Sequence, residues 1–218
     1  MLETILKGKW MMIPLVVCSI FALGVFIDRL MAFRANNKID NRSLRSKLMA
    51  LLRQHKMRDA AVLCINTPGP ISSVLLAGLQ SFMKLQKRTP ENTRMTVGQA
   101  MEDNSFHSLS AVSRRLWILA MIGTAAPLLG MTGTVTGMIA SFAELSSGTV
   151  DTARVSLGIS EALITTAAGL MIALAAVIPY GIFTSMADKI ELEIEEASTE
   201  LVDLLATEVA SEQENAGS

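Results

Sequence analysis

The sequence predicts an all-α membrane protein with three transmembrane helices and a helical cytoplasmic domain. Half of its 218 residues are hydrophobic and only 18% are charged, and the mean hydropathy is positive. This balance is typical of a membrane protein with a substantial aqueous part. Three apolar segments are long enough to cross a bilayer, since about 20 helical residues span its hydrocarbon core. In the polar part of the chain the apolar residues recur at helical spacing, so long helices are expected to extend into the cytoplasmic domain.

The first transmembrane helix is predicted at residues 11–33, after a short N-terminus at residues 1–10. Its first 17 residues carry no charge, and the Asp28–Arg29 pair that follows must then lie near a membrane interface. A cleaved signal peptide is the alternative, because two lysines precede the apolar run. The apolar run is longer than the apolar core of a usual signal peptide, about 7–15 residues, and no small-residue cleavage site follows it.

The distribution of basic residues predicts the orientation of the chain. Residues 34–115 contain 14 Lys and Arg against five Asp and Glu, so the positive-inside rule places this segment in the cytoplasm. The N-terminus and the loop at residues 146–156 then lie in the periplasm. Three spans place the tail, residues 184–218, in the cytoplasm. Its ten acids and one Lys do not contradict this, because acidic residues contribute little to the rule.

Helical spacing of apolar residues predicts the start of the cytoplasmic domain. One helix is expected over residues 43–65, with Leu44, Leu48, Leu51, Leu52, Ala60 and Leu63 at helical spacing. The sequence NTPGP at residues 66–70 ends it. A second helix is expected from Ile71 to Gln86, with Val74, Leu75, Leu79 and Phe82 on one face.

Thr89, Pro90 and Glu91 are typical of a helix start: an N-cap, a first-turn proline and a favourable acid. Nothing in the sequence stops this helix before Ser146, so one long helix is predicted to run from the cytoplasm through the second span.

The acidic segment after the third span is also predicted to be a helix. Its apolar face contains Ile190, Ile194, Leu201 and Leu205. Charge complementarity makes the basic early helix its expected neighbour, with Arg45 opposite Glu195.

The second and third transmembrane helices are predicted at residues 116–145 and 157–183. The apolar core of the second, Leu116 to Ala143, carries no charge and is rich in Thr and Gly. Glu161 is the single charged side chain in the apolar stretch Val155 to Ala187. A carboxylate there costs several kcal/mol unless it faces water or a protein interior, which makes Glu161 a candidate for function.

Small and hydroxyl-bearing residues form stripes on both helices. On the second span the stripe is Gly130, Thr134, Gly137 and Ser141; on the third it is Thr166, Gly169, Ala173 and Ala176, with Glu161 and Thr165 on a neighbouring face. Such stripes let helices pack closely, and for Gly133 and Gly137 packing is the favoured interpretation. The hydroxyls of Thr134 and Thr166 either line a polar path or bond back to their own helix, and the pattern alone leaves both open.

The sequence shows no pattern typical of a metal site, a nucleotide-binding loop or a catalytic centre. His55 and His107 have no partners at ligand spacing, so no metal is expected. The glycines of the second span do not follow a soluble strand, as a phosphate-binding loop would, and no catalytic triad is present. A disulfide between Cys18 in the first span and Cys64 in the cytoplasm is implausible. The sequence therefore predicts neither an enzyme nor a cofactor, and no nucleic-acid partner.

Two runs of sequence resemble a known family. The runs APLLGMTGTVTGMIASF (Ala126 to Phe142) and GISEALITTAAGLMIALAAVIPY (Gly158 to Tyr180) are similar to the signature helices of the MotA/TolQ/ExbB proton-channel family, in its ExbB/TolQ branch. The matching positions are Gly130, Gly133, Thr134, Val135, Gly137, Phe142, Gly158, Glu161, Ala162, Leu163, Thr166, Ala167, Gly169 and Leu170. The chain departs from the family pattern at Thr136, where an aromatic residue is usual, and in the placement of Pro179.

The resemblance implies a homo-oligomeric ring, in this family a pentamer, whose second and third helices line a pore. The pore would hold two copies of an ExbD- or TolR-like single-span partner, whose aspartate carries the proton. Thr134, Thr166 and Glu161 would contribute to the proton pathway. Thr165, Gly130, Gly133, Gly137, Ser141, Gly169 and Ala173 would line the pore or pack the helices.

The implied function is work on the cell envelope driven by the proton motive force from the bacterial inner membrane. A TonB- or TolA-like transducer would deliver the work, and membrane lipids would surround the ring. A flagellar-stator relative of MotA type is the nearest alternative, although it normally has four spans. A non-conducting membrane scaffold, in which every stripe serves packing, is the alternative from a different class.

Overall fold

The computed structural model describes residues 9–36, 41–86, 89–146 and 152–216, and within these ranges all regular secondary structure is α-helical. Seven helices occur in the described residues: α1 Lys9–Asn36, α2 Asn41–Arg53, α3 Met57–Asn66, α4 Pro70–Lys84, α5 Pro90–Ser113, α6 Leu116–Ser146 and α7 Thr152–Ala216. The all-α prediction is confirmed over this part of the chain. Residues 1–8 of the predicted N-terminus and residues 147–151 of the predicted 146–156 loop lie outside the described residues.

Among the helices of the described residues, three are long and apolar enough to cross a membrane: α1, α6 and α7. The candidate spans begin at Met11, Leu116 and Thr152, and their number agrees with the three spans predicted from the sequence. Each of these helices exposes many large apolar side chains. That is the expected surface of a helix whose neighbours are lipid or other membrane helices, and it would be costly in water.

The described residues divide into two compact units. The first is formed by residues up to Leu30 together with Arg115–Phe183, and it contains the apolar part of each candidate span. The second is formed by Met31–Arg114 together with the residues from Thr184 on.

In the first unit, the carboxylate of Asp28 pairs with two arginines. Asp28 accepts hydrogen bonds from Arg29 at 2.8 Å and from Arg115 at 3.1 Å. Arg29 is buried, with 7% of its surface exposed, and a buried cation without a partner would be strongly destabilising. The Phe26 and Phe183 rings also pack in this unit, with centroids 5.9 Å apart.

In the second unit, α2, α4, α5 and the last part of α7 bury an aliphatic core. Its fully buried members are Leu48, Leu52, Val74, Leu75, Leu79, Val97, Met101, Leu201, Leu205 and Val209. The apolar face predicted for the second cytoplasmic helix is therefore confirmed on α4, and the face predicted for the acidic helix is confirmed on α7, where Ile190 and Ile194 are also buried.

The predicted start of α5 is confirmed. The Thr89 side chain accepts a hydrogen bond from the Asn92 amide at 3.2 Å, Pro90 occupies the first turn, and Glu91 provides the acid. At the start of α4, Gly69 precedes Pro70 with φ 150° and ψ 161°. Only glycine adopts this conformation without strain.

Two predicted helices are interrupted, so the predictions of their continuity are wrong. The segment 43–65 forms α2 and α3, separated at His55, which has φ 57°. The helix predicted from Thr89 to Ser146 forms α5 and α6, separated at Arg115, which has φ 68°. Neither break contains Gly or Pro, the usual sequence signals of a helix end.

The acidic part of α7 packs beside the basic α2, as charge complementarity predicted, but the predicted pair is wrong. Arg45 binds Glu200 and, at 3.0 Å, Glu196, and not Glu195. The hydrogen bond from Arg45 to Glu200 raises the pKa of the guanidinium above its ordinary value, and Glu196 adds to this. Asn41 donates a further hydrogen bond to Glu193 at 2.9 Å.

Candidate functional site

The helices α6 and α7 pack against each other through small residues in antiparallel order. Gly130 lies beside Thr166, Gly137 lies beside Ala162, and Gly158 lies beside Ser141. As the residue number on α6 rises, the number of the residue beside it on α7 falls, because the two helices run in opposite directions. This contact contains most of the small and hydroxyl-bearing residues that the sequence singled out.

The closest backbone approach occurs at Gly169. A Cβ atom placed on this residue would lie 2.6 Å from the carbonyl oxygen of Ala126 and 3.1 Å from the Cα of Gly130. Ala126 is itself fully buried. Two helix backbones can meet at this distance only when the residues between them lack side chains, which explains why glycine is required on both helices.

Thr166 forms a hydrogen bond between the two helices. Its Oγ1 donates to the carbonyl oxygen of Gly130 at 2.8 Å. A backbone carbonyl in the middle of an α-helix already accepts one bond, and its second lone pair is available because Gly130 has no side chain to cover it. Hydrogen bonds between membrane helices contribute about 0.6–2 kcal/mol each.

The other hydroxyls of the contact bond to their own helices. Thr165 donates to Glu161 O at 2.9 Å, Ser141 to Gly137 O at 3.0 Å and Thr134 to Met131 O at 2.7 Å. Thr165 and Ser141 are buried, with 3% and 4% of their surface exposed, whereas Thr134 is half-buried. Of the two threonines whose role the sequence left open, Thr134 bonds back to α6 and Thr166 bonds across to it.

Glu161 is half-buried on α7, and its carboxylate forms no hydrogen bond or ion pair with the rest of the described chain. It precedes Thr166 by five residues, which corresponds to about 7.5 Å along the helix axis. Ala162, the next residue, packs beside Gly137 of α6. The acid therefore lies at the border of the α6–α7 contact, on the side of Thr166 that is nearer to the start of α7.

The structure changes the composition of one predicted stripe. Gly133, and not Thr134, lies between Gly130 and Gly137 in the contact, where a Cβ atom would meet the Thr165 methyl at 2.6 Å. The stripe on α7 is buried at Ala173 and Ala176 as well as at Thr165. The spacing of three and four residues is equally helical, so the sequence could not decide between Gly133 and Thr134.

A cluster outside this contact was missed by the sequence analysis. His55, Glu208 and Glu212 place their ligand atoms within 4.8 Å of one another in the second unit. His55 lies more than 150 residues before the two acids, so no local spacing could have indicated the group. In the same unit, burial raises the pKa of the Cys64 thiol to about 11.

Comparisons with known proteins show which family this chain resembles. The model of the MotA/TolQ/ExbB proton channel family matches residues 66–196. The ExbB-like protein 1 of Synechocystis is 33% identical over 191 residues, which cover 85% of this chain and 71% of that protein. The biopolymer transport protein ExbB of Pseudomonas putida is 28% identical over 204 residues, covering 92% and 60%. The Tol-Pal system protein TolQ of Pseudomonas aeruginosa is 33% identical over 122 residues, covering 54% and 53%.

The matched region includes α4, α5, α6 and the part of α7 that carries Glu161 and Thr166. The family is one of proton channels and not of enzymes. With three apolar helices long enough to cross a membrane and relatives named ExbB and TolQ, the chain is an inner-membrane protein of the MotA/TolQ/ExbB proton channel family and belongs to its ExbB/TolQ branch.

Proposed function

We propose that this chain is the ExbB/TolQ-like subunit of an inner-membrane motor driven by the proton motive force. It conducts protons together with an ExbD- or TolR-like single-span partner, and a TonB- or TolA-like transducer delivers the work to the outer membrane. The observation that supports this most directly is the hydrogen bond from Thr166 Oγ1 to Gly130 O. It fixes a hydroxyl at the contact of two spans whose apolar segments contain one carboxylate.

The bonding of Thr166 leaves it able to assist a proton carrier. A hydroxyl has one proton to donate and two lone pairs to accept with. Thr166 uses its proton on Gly130 O, so its lone pairs remain available to a protonated group. A protonated aspartate on a partner helix is such a group, because a carboxylic acid donates one hydrogen bond.

The proposed mechanism requires the partner's aspartate to change its protonation state. Desolvation among Thr134, Thr166 and apolar walls raises the pKa of such an aspartate, so it takes a proton from the periplasmic side and releases it to the cytoplasm. One charge that crosses 100 mV is worth about 2.3 kcal/mol. Several protons per cycle therefore supply useful work.

The proposed assembly is a pentameric ring around two partner helices, with the N-terminus periplasmic and the C-terminus cytoplasmic. The exposed apolar side chains of the spans support an assembly of this type. On α6 they include Leu128, Met131, Val135, Ile139 and Phe142. In a ring, part of this surface would face neighbouring copies or partner helices, and the rest would face lipid.

The Thr166→Val variant tests the function. Valine has nearly the same shape but no hydroxyl, so proton flux in proteoliposomes with the co-expressed partner should fall at least tenfold while the complex still assembles. Thr166→Ser keeps the hydroxyl and should retain most of the flux. Full flux in Thr166→Val would remove Thr166 from the proton pathway.

Thr165→Val is the matched control for this experiment. Thr165 precedes Thr166 and is buried in the same contact, but its hydroxyl bonds only to Glu161 O within α7. Loss of that bond should leave flux nearly unchanged. Equal losses of flux in both variants would indicate a general packing defect and not a role in proton transfer.

Glu161→Gln separates two roles of the acid. Glutamine keeps the size and the hydrogen-bonding capacity of the side chain but cannot carry a proton. If Glu161 takes part in proton transfer, flux falls and assembly persists. If its role is to hold the packing of neighbouring helices, flux is retained.

A non-conducting scaffold is the second candidate, and one observation favours it. The hydroxyls of Thr134, Ser141 and Thr165 bond to carbonyls of their own helices, as expected of helices that only pack. A scaffold would show no proton flux with the partner present, whatever residue occupies position 166.

A further inference from the structure

Three metal-ligand side chains meet in the second unit, where α2 ends and α7 passes. His55 Nδ1 lies 2.5 Å from Glu208 Oε1. Glu212 follows Glu208 by one helical turn and therefore presents its carboxylate on the same face of α7. The ligand atoms of the three side chains all lie within 4.8 Å of one another.

The carboxylates of Glu208 and Glu212 have oxygen atoms that accept no hydrogen bond from the described residues. Glu208 Oε2 is buried and has no hydrogen-bond partner among the described residues, and the Glu208 side chain as a whole is only 16% exposed. Glu212 forms no hydrogen bond or ion pair with the described residues. A buried carboxylate oxygen without a donor is costly, and a cation in the cluster would remove that cost.

We propose that His55, Glu208 and Glu212 bind a divalent transition-metal ion of the Zn²⁺ type. One imidazole and two carboxylates are ligands that Zn²⁺ accepts, and three protein ligands leave a fourth position for water. Ligand atoms bound at about 2.0–2.2 Å in a tetrahedron lie roughly 3.3–3.6 Å apart. Side-chain rotations that open the contact of His55 with Glu208 and close the remaining distances would give this geometry.

The imidazole favours a transition metal over Mg²⁺ or Ca²⁺, because those ions prefer an all-oxygen site. The bound ion would join the turn between α2 and α3 to the C-terminal part of α7. His55 has a left-handed backbone conformation at this turn, and its ring contacts Glu208 of α7. The site is separate from the α6–α7 contact, so its existence does not depend on proton conduction.

Titration of the full-length protein with ZnCl₂ tests the proposal, with the protein purified in detergent without a polyhistidine tag. The wild-type chain should bind one Zn²⁺, and bound Co²⁺ should give the visible absorption of a tetrahedral site. His55→Ala and Glu212→Gln should each weaken Zn²⁺ binding at least about tenfold. Glu212→Gln changes an exposed side chain, so it tests the ligand without a risk to folding.

His107→Ala is the matched control. His107 is the second of the two histidines in the chain and is exposed on α5, so its loss should leave Zn²⁺ affinity unchanged. Equal affinity in the wild type and His55→Ala would overturn the proposal, as would an equal loss in His107→Ala. A cobalt–thiolate charge-transfer band, or binding of Ca²⁺ and Mg²⁺ without preference for Zn²⁺, would also overturn it.

Discussion

Gly169 lies against the carbonyl oxygen of Ala126, and a single added carbon atom at Gly169 would come within 2.6 Å of that oxygen. Both atoms of this contact belong to helix backbones, which cannot move aside as a flexible side chain can. The contact therefore sets the distance between α6 and α7.

The Gly169→Ala substitution should destabilise the α6–α7 pair. Overpacking of this kind costs about 1–3 kcal/mol, which exceeds the gain of roughly 0.5–1 kcal/mol that alanine normally brings inside a helix. Thermal unfolding in detergent should show a lower Tm. Gly181→Ala is the control, because nothing lies within 4 Å of a Cβ atom at that position of α7, and it should leave Tm unchanged or raise it. A Tm for Gly169→Ala at or above the wild type would contradict the contact.

Reversal of the charge at Arg45 should weaken the packing of α2 on α7. Arg45 and Glu200 are partly exposed, so the expected loss in the free energy of unfolding is about 0.2–1 kcal/mol per pair. The Arg45→Glu/Glu200→Arg double variant should recover part of this loss, whereas Arg45→Glu/Glu195→Arg should recover less. Denaturant titrations at low and high salt measure both effects, since salt screens exposed pairs. Better recovery with Glu195→Arg would contradict the observed pairing.

Cys64 should react slowly with reagents that attack thiolates. Burial raises its pKa from 9.0 to about 11, so at pH 8 roughly 100-fold less thiolate is present than for an unperturbed thiol. Labelling rates in a Cys18→Ser background measure this, with the denatured chain as the control. Equal rates in the folded and denatured chains would show that Cys64 is accessible and unperturbed.

The same pKa shift predicts how stability depends on alkaline pH. The folded chain holds the Cys64 proton more tightly than the unfolded chain, because burial disfavours the anion. The contribution of this thiol to stability is therefore complete below pH 9 and is lost as the pH rises towards about 11. Cys64→Ala should show a smaller loss of Tm over this range.

The parts of the fold that the sequence predicted correctly depend on local signals. The spans follow from the length of uncharged segments, and the start of α5 follows from Thr89 and Pro90, whose roles need only their immediate neighbours. The helix breaks at His55 and Arg115 could not be predicted in this way. Both residues have positive φ without being glycine, and packing with distant segments decides such conformations.

At the α6–α7 contact, too, the sequence could not predict what distant residues decide. Composition identified the small residues of α6 and α7, but not which of two adjacent positions on a helix faces the other helix. Gly133 packs on Thr165 while Thr134 bonds within α6, and a rotation of about 100° separates them. The Arg45 pairing failed for a similar reason: α7 offers acids at 195, 196 and 200, and the buried face containing Ile194, Ala197 and Leu201 determines which of them reach α2.

The close backbone contact of α6 and α7 at Gly130 and Gly169 also limits how these two helices can move. Rotation of either helix about its axis would drive a neighbouring side chain into the opposite main chain, and sliding would break the Thr166 bond. The two helices should therefore shift as one rigid body. Conformational changes that accompany ion translocation would then occur at the outer surfaces of the pair, where Leu128, Ile139 and Leu170 are exposed, and not along the seam between them.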